Sequence, residues 1–195
     1  MAGNETEAAK PDPAAGKDDS SKDKAEEEKL PQLSAKDFKI YNSLAETMDH
    51  FHNHFRSTWT LLWTACTTNK RPRGMTLKQF IDAGLAFVSQ LSMHHSIEER
   101  HVFPYLGARM PEFRGDLQGQ HAQIHEGLDR FEEYLRSCRS GDAEFELAVL
   151  RGHMEGWGDV LWRHLDDEVR ALGAENMRRY WSVEEIKRMP MYHAM

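Results

Sequence analysis

The sequence has few cysteines and no long apolar run, and each shortage excludes a class of protein. Cys66 and Cys138 are its two cysteines and show no CxxC spacing, so we predict reduced core thiols and neither a disulfide framework nor a thiolate zinc site. No stretch approaches the roughly 18 apolar residues of a membrane helix, and no apolar segment typical of a secretory signal opens the chain. We therefore expect a cytoplasmic protein that makes no membrane contact.

The sequence also lacks a surplus of positive charge. Its formal net charge is −7, and residues 1–29 hold five lysines against nine acids, while the rest holds 20 basic and 23 acidic residues. Such a chain is not expected to attract nucleic acid. Residues 1–33 have almost no large apolar side chain before Leu30, so burial cannot offset the entropy lost on ordering. We predict a disordered tail over 1–33.

Apolar residues at alternating three- and four-residue spacing predict four helices after the tail. Ser34 and Asp37 form a capping-box pattern before the first helix, and Thr76 and Gln79 repeat that pattern before the second. The predicted helices cover 34–68, 76–105, 116–140 and 142–172. Short links favour antiparallel neighbours. We therefore predict an all-α protein, with an up-down-up-down four-helix bundle over 34–175 and a short C-terminal extension over 176–195.

Histidine is concentrated in the middle of the chain, where ten of the eleven lie between His50 and His164. Several pair with a second donor four residues on, which places both groups on one helix face. Neutral imidazole suits iron, zinc and copper, and a carboxylate can join two cations. The candidate metal ligands are His52, His94, Glu98, His121, His125, His164 and Glu168. Five imidazoles and two carboxylates exceed the needs of one tetrahedral zinc, so we predict two metals.

Some alternatives stay open at this point. His50 and His54 compete with His52, which is preferred because it continues the apolar stripe of the first helix. His95 with Glu99 offers a second register beside His94 and Glu98. A single histidine on an apolar face is more often a hydrogen-bonded core residue than a ligand. Burying the whole set without metal, however, would leave several costly polar groups in the core.

Four ordered motifs carry a resemblance to a known family. They are MDHFHNHFR at 48–56, HHSIEERHVFP at 94–104, QHAQIH at 120–125 and HLDDE at 164–168. Over about residues 38–175 the chain resembles the hemerythrin-like family, the HHE cation-binding domain. The resemblance implies a four-helix bundle with two non-haem irons, held at the seven positions named above and bridged by Glu98 and Glu168. The acid follows His164 by four residues, whereas oxygen-carrying members resemble HxxxxD more closely.

This resemblance implies a protein that binds oxygen, another small diatomic ligand or iron reversibly, for storage or sensing. The alternative is a di-iron oxidase or peroxidase, and a third interpretation is a structural role with zinc or no metal. Many histidines and few carboxylates argue against the Glu-rich oxygenase sites built from paired ExxH motifs. Because imidazole must be neutral to bind metal, we expect metal to be lost below about pH 6.

Overall fold

A computed structural model describes residues 30–192, and every helix in this range lies within the unit that begins at Leu33. Every regular element in this range is helical, so the all-α prediction is confirmed for the described residues. The α-helices are α1 Ala35–Thr68, α2 Leu77–Ile97, α3 Phe103–Gly107, α4 Asp116–Ser140, α5 Leu147–Glu155, α6 Gly158–Ala171, α7 Ala174–Tyr180 and α8 Val183–Arg188. Most of the predicted tail, residues 1–29, and His193 lie outside the described residues.

The predicted starts of the first two long helices are confirmed by their caps. The Ser34 hydroxyl accepts a hydrogen bond from the Asp37 backbone N–H at the start of α1. Thr76 and Gln79 form the complete capping box at the start of α2. These bonds satisfy backbone donors that the first helical turn leaves without partners. Local sequence chemistry therefore fixes where these two helices begin.

The second predicted helix contains a change of helix type near its end. α2 continues directly into a π-helical turn, Glu98–Val102, and then into α3. The Phe103 N–H donates to the Glu98 carbonyl five residues earlier. Pro104 has no N–H, and its ring would clash with the carbonyl of Arg100 in a regular helix, so a wider turn relieves the conflict. The π turn contains Glu98, one of the predicted metal ligands.

The fourth predicted helix, over 142–172, is wrong as a single element. The chain forms α5 and α6 instead, with Gly156 and Trp157 between them. The Trp157 backbone leaves the helical region, with φ −139° and ψ 0°, and its indole lies where a Cβ on Gly127 would stand. The helix therefore breaks so that this large side chain can pack against α4.

The extension after α6 is more ordered than the sequence suggested. The predicted short helix after Ser182 is confirmed as α8, with a capping box between Ser182 and Glu185. α7 was not predicted, because its seven residues are too few to show a clear period. Both helices pack against α1. No helix in the described range is both long and apolar enough to cross a membrane.

Four helices, α1, α2, α4 and α6, form a closed ring in which each helix packs against two others. α1 contacts α2 and α6, and α4 contacts the same two helices from the other side; α5 lies against α1 and α4. Two apolar clusters fill the interior. The lower cluster is centred on Phe55, Phe87, Phe131 and Leu161. The upper cluster includes Met48, Val102, Leu117, Ala171 and Trp181.

Replacing Gly127 by alanine tests the packing at the helix break. An added Cβ would collide with the Trp157 indole, so we expect the free energy of unfolding to fall by about 1–3 kcal/mol in urea titrations. Gly119→Ala is the matched control, since Gly119 is also in α4 and has no atom near its added Cβ. That variant should be neutral or more stable by up to about 1 kcal/mol. Equal effects of the two substitutions would contradict this packing.

Candidate metal centre

The predicted donor residues lie between the two apolar clusters, where four stretches of chain supply them. On α1, His52 stands between Met48 of the upper cluster and Phe55 of the lower cluster. On α4, His121 stands between Leu117 of the upper cluster and Ile124 of the lower cluster. His164 and Glu168 occupy the corresponding turns of α6, and the end of α2 with its π turn supplies the rest. A layer of polar groups is thus enclosed by apolar packing on both sides.

The donor atoms form two groups that share one carboxylate. Within each group, one donor atom per residue lies within 4.8 Å of the others. Group A consists of His95, Glu98, His121 and His164, and group B of His52, His94, Glu98 and Glu168. Each group draws its members from three stretches of the chain, so it can form only when the helices are packed.

Distances show that both carboxylates reach from one group to the other. Glu98 places Oε1 2.9 Å from His94 Nε2 and Oε2 3.5 Å from His121 Nε2. Glu168 Oε2 lies 3.4 Å from His52 Nε2 and 3.6 Å from His164 Nε2. Each carboxylate therefore lies beside one imidazole of group A and one of group B, so it is within reach of both groups.

Several of these buried atoms have no hydrogen-bond partner in the described part of the chain. They are Nε2 of His52 and His94, both ring nitrogens of His95, and both carboxylate oxygens of Glu98 and Glu168. Their close contacts lack hydrogen-bond geometry. A buried polar atom without a partner costs roughly 1–3 kcal/mol. Cations bound among these residues would engage one nitrogen of each imidazole together with the carboxylate oxygens, so the donor set fits bound metal.

Three imidazoles are oriented by a hydrogen-bond acceptor at Nδ1. His52 Nδ1 lies 3.0 Å from the Leu165 carbonyl oxygen, and His121 Nδ1 lies 2.9 Å from Glu99 Oε1. His164 Nδ1 lies 3.2 Å from Gln120 Oε1. An acceptor at Nδ1 keeps the proton on that nitrogen, so Nε2 presents a lone pair to the site. These contacts prepare the rings for metal binding before any metal arrives.

Burial also disfavours the charged form of four of the site imidazoles. It lowers the pKa of His94 to about 4 and that of His164 to about 3, and it lowers the pKa of His95 and His121 as well. The pKa values of the two buried carboxyl groups shift in opposite directions. Burial, reinforced by the charge of Glu168, raises the pKa of Glu98. For Glu168 burial acts in the same direction, but the surrounding imidazoles, with His52 foremost, outweigh it and lower the pKa. Metal binding is therefore expected to displace a proton from Glu98.

The structure brings six of the seven predicted ligands together and adds His95. His95 is fully buried and stacks on His121, with ring centroids 3.8 Å apart. His125 lies outside both groups, with 34% of its side chain exposed and its Nε2 3.9 Å from Glu99 Oε1. The sequence named His95 only as an alternative register with Glu99. Glu99 itself lies outside the groups.

The competing histidines of α1 lie away from the donor groups. His50 and His54 are exposed, and His54 Nε2 lies 2.8 Å from Gln90 Oε1. His52 is fully buried. A helix turns by about 100° per residue, so positions two apart face nearly opposite directions and only one of them can enter the core.

Comparison with known proteins confirms the family resemblance that the sequence motifs indicated. Residues 43–174 match the model of the hemerythrin HHE cation-binding domain. The chain belongs to this family. The HHE match spans all seven predicted ligand positions and His95. It ends two residues past Leu172, close to the junction of α6 and α7.

One curated relative is similar over most of the HHE domain. It is the dimeric xanthone biosynthesis cluster protein R11 of Cryptosporiopsis sp. (strain 8999), 27% identical over 150 residues. The aligned region is 73% of this chain and 56% of R11, so the chain spans little more than half the length of that relative. No solved structure matches the chain.

Substituting His95 and His125 separately tests which imidazole completes group A. His95→Ala removes a buried donor, so we expect metal affinity to fall at least tenfold. Loss of a residue that only orients a ligand can already cause a change of that size. His125→Ala should change metal affinity less than threefold, because His125 lies outside both groups. Competitive cobalt titrations measure both. A larger loss of metal affinity in His125→Ala than in His95→Ala would instead support the ligand set predicted from the sequence.

The metal-free protein should lose stability as pH falls from 6 to 5. Unfolded histidine has a pKa near 6.5, whereas burial lowers the pKa of folded His94 and His164. Between pH 6 and 5 the unfolded chain therefore binds protons that these two folded residues do not bind, which favours unfolding. Each such group contributes up to about 1.4 kcal/mol per pH unit. Glu98 opposes this with at most one proton, because its folded pKa is raised. Urea unfolding should show a net loss of about 1 kcal/mol or more. Unchanged or higher stability at pH 5 would contradict the burial of neutral imidazoles.

Proposed function

We propose that this HHE domain holds two non-haem irons and binds dioxygen, or another small diatomic ligand, reversibly. The observation that carries the proposal is the pair of donor groups joined by Glu98 and Glu168. Iron suits a mixed set of imidazoles and carboxylates, and two ferrous ions supply the electrons that oxygen binding draws on. The two carboxylates offset half of the four positive charges, and the neutral imidazoles complete the donor set.

The proposed ligands are the six clustered residues of the sequence prediction with His95 as the seventh. Group A then provides three imidazoles and group B two, with both carboxylates available to each iron. The Nδ1 contacts of His52, His121 and His164 hold these rings in place while an external ligand enters and leaves. The apolar clusters cover the donor layer on two sides, which limits the access of water from those directions.

We propose in addition that the four long stretches run up-down-up-down. The order in which each stretch meets the apolar clusters supports this. α1 and α4 pass from the upper to the lower cluster, whereas α2 with its π turn, and α5 with α6, pass from the lower to the upper. Such alternation places all donor residues at one level of the bundle.

A second candidate function is a di-iron oxidase acting on an organic molecule. An open groove between α1 and α2 includes His94 and Glu98 in its lining, and it is far larger than a diatomic ligand needs. The name of R11 associates that relative with a dimeric xanthone biosynthesis cluster. In this role the same iron pair would turn over in the presence of a substrate.

Metal analysis combined with absorption spectra tests the proposal. Iron-loaded protein should contain about two irons per chain, as the paired donor groups predict. Its spectrum should change under air and return under argon without consuming reductant. Sustained, iron-dependent oxygen consumption with an added phenol would instead favour the oxidase.

Replacing His52 by alanine should lower iron content by about one equivalent, because the variant removes an imidazole of group B. His153→Ala is the matched control, since the His153 ring stacks on Tyr134 away from the donor groups and the variant should retain the wild-type iron content. A folded wild-type protein that binds no iron, or equal losses in both variants, would contradict the proposal.

A further inference from the structure

A groove of about 1040 Å³ opens between α1 and α2 and reaches the metal centre. His94 and Glu98 of group B are part of its lining. His94 is also the most accessible member of group B, with 12% of its side chain exposed, whereas His52 and Glu168 are fully buried. Group B therefore has its open side toward this groove. The remaining members of the centre lie deeper in the bundle.

The size of the groove exceeds what the proposed diatomic ligand requires. A water-sized molecule takes about 30 Å³, and pockets for organic ligands measure roughly 300–1,000 Å³. Pro190 and Met191, from the last described turn, form part of the wall. A cavity of this size beside a metal centre has room for a multi-ring organic molecule.

Apolar side chains are unusually exposed around this groove. Phe51 is 42% exposed, Met93 64% and Ile97 52%, and all three line the groove. Phe55 and Tyr105 add two further rings to the wall. Exposed apolar patches on a folded chain mark binding surfaces, and methionine adapts to ligands of irregular shape. Aromatic walls favour a ligand that itself has aromatic rings, because the rings can stack or meet edge to face.

The polar lining indicates a ligand without charge. Among the residues that the structure describes, the lining has no lysine, arginine or aspartate, and its one carboxylate is Glu98, which the proposed irons would engage. The other polar groups are imidazole, amide and hydroxyl: His50, Asn53, His54, Ser57, Gln90 and His101. These groups can donate to or accept from hydroxyl and carbonyl groups, but they offer a charged ligand no fixed counter-charge.

We propose that this groove binds an uncharged aromatic molecule bearing hydroxyl or carbonyl groups, with one edge against His94 and Glu98. This inference rests on the proposed function, because the proposed irons would lie at the inner end of the groove, beside His94 and Glu98. The ligand class combines a large apolar surface for Phe51, Met93 and Ile97 with polar substituents for the imidazole and amide groups. It identifies the substrate class that the oxidase candidate would use.

Binding of 2-naphthol, a fluorescent and uncharged bicyclic phenol, tests the groove. Iron-loaded full-length chain should bind it saturably at one site. Naphthalene-2-sulfonate has the same rings with a permanent negative charge. In iron-free protein, where no metal charge can attract the sulfonate, it should bind at least tenfold more weakly than 2-naphthol. Met93→Glu places a carboxylate on the groove wall at an exposed position and should raise the Kd for 2-naphthol at least tenfold.

Val149→Glu is the matched control, since Val149 is 41% exposed on α5 and does not line the groove. Its Kd for 2-naphthol should stay within twofold of wild type. Iron-loaded protein that does not bind 2-naphthol, or that loses affinity equally in both variants, would overturn the groove proposal. A change of oligomeric state in Met93→Glu alone would also overturn it, by assigning the apolar wall to a second copy of the chain.

Iron content measured before each titration separates the two hypotheses. Iron-loaded protein without naphthol binding would leave the metal proposal intact and remove the groove proposal. Wild type that takes up no iron on loading but still binds 2-naphthol, with affinity lost in Met93→Glu and kept in Val149→Glu, would remove the metal proposal and retain the groove as a binding site.

Discussion

The burial of imidazoles and carboxylates between two apolar clusters is the constraint on which the rest of the structure depends. Glu98 and Glu168 are buried together with histidines whose nitrogens face them without hydrogen-bond geometry. Such a layer costs free energy unless a cation is bound, because the polar groups have lost water and gained no partner. Its position between Met48 and Phe55 on α1 shows that the apolar packing holds the polar layer in place. The architecture therefore links folding to metal occupancy.

The irregular features of the helices lie at the polar layer and in the lower apolar cluster beside it. The π turn at Glu98–Val102 begins at the carboxylate that both donor groups share, and π turns are frequent at functional sites. The break at Trp157 lets its indole fill space against α4 beneath the centre. Regular helices would pack the bundle more simply. The irregularities adapt the backbone where a proline or a large ring could not otherwise be accommodated.

Much of the fold followed from local sequence signals. The capping residues Ser34 and Thr76 mark helix starts that the structure confirms, because a cap acts within a few residues of the chain. The break at Trp157 could not be predicted in this way, since it depends on Gly127, which lies thirty residues away in sequence. Tertiary packing there overrides a continuous helical period.

Part of the candidate metal centre was also predictable from local sequence signals. His52 could be chosen over His50 and His54 because it continues the apolar stripe of α1. His95 was harder, since adjacent helix positions lie about 100° apart and can face different neighbours. His94 lies beside His52 and Phe55 of α1, while His95 lies beside His121 and His125 of α4. One HHxxE motif thus supplies donor residues to both groups, which a single four-residue spacing cannot reveal.

Anomalous X-ray diffraction at the iron edge, from crystals of the iron-loaded chain, tests the central claim most directly. We expect two peaks about 3.5–4 Å apart, one among His95, His121 and His164 and one between His52 and His94, with Glu98 and Glu168 spanning them. A single peak, or iron only at surface carboxylates while the buried donors stay metal-free, would contradict the paired centre.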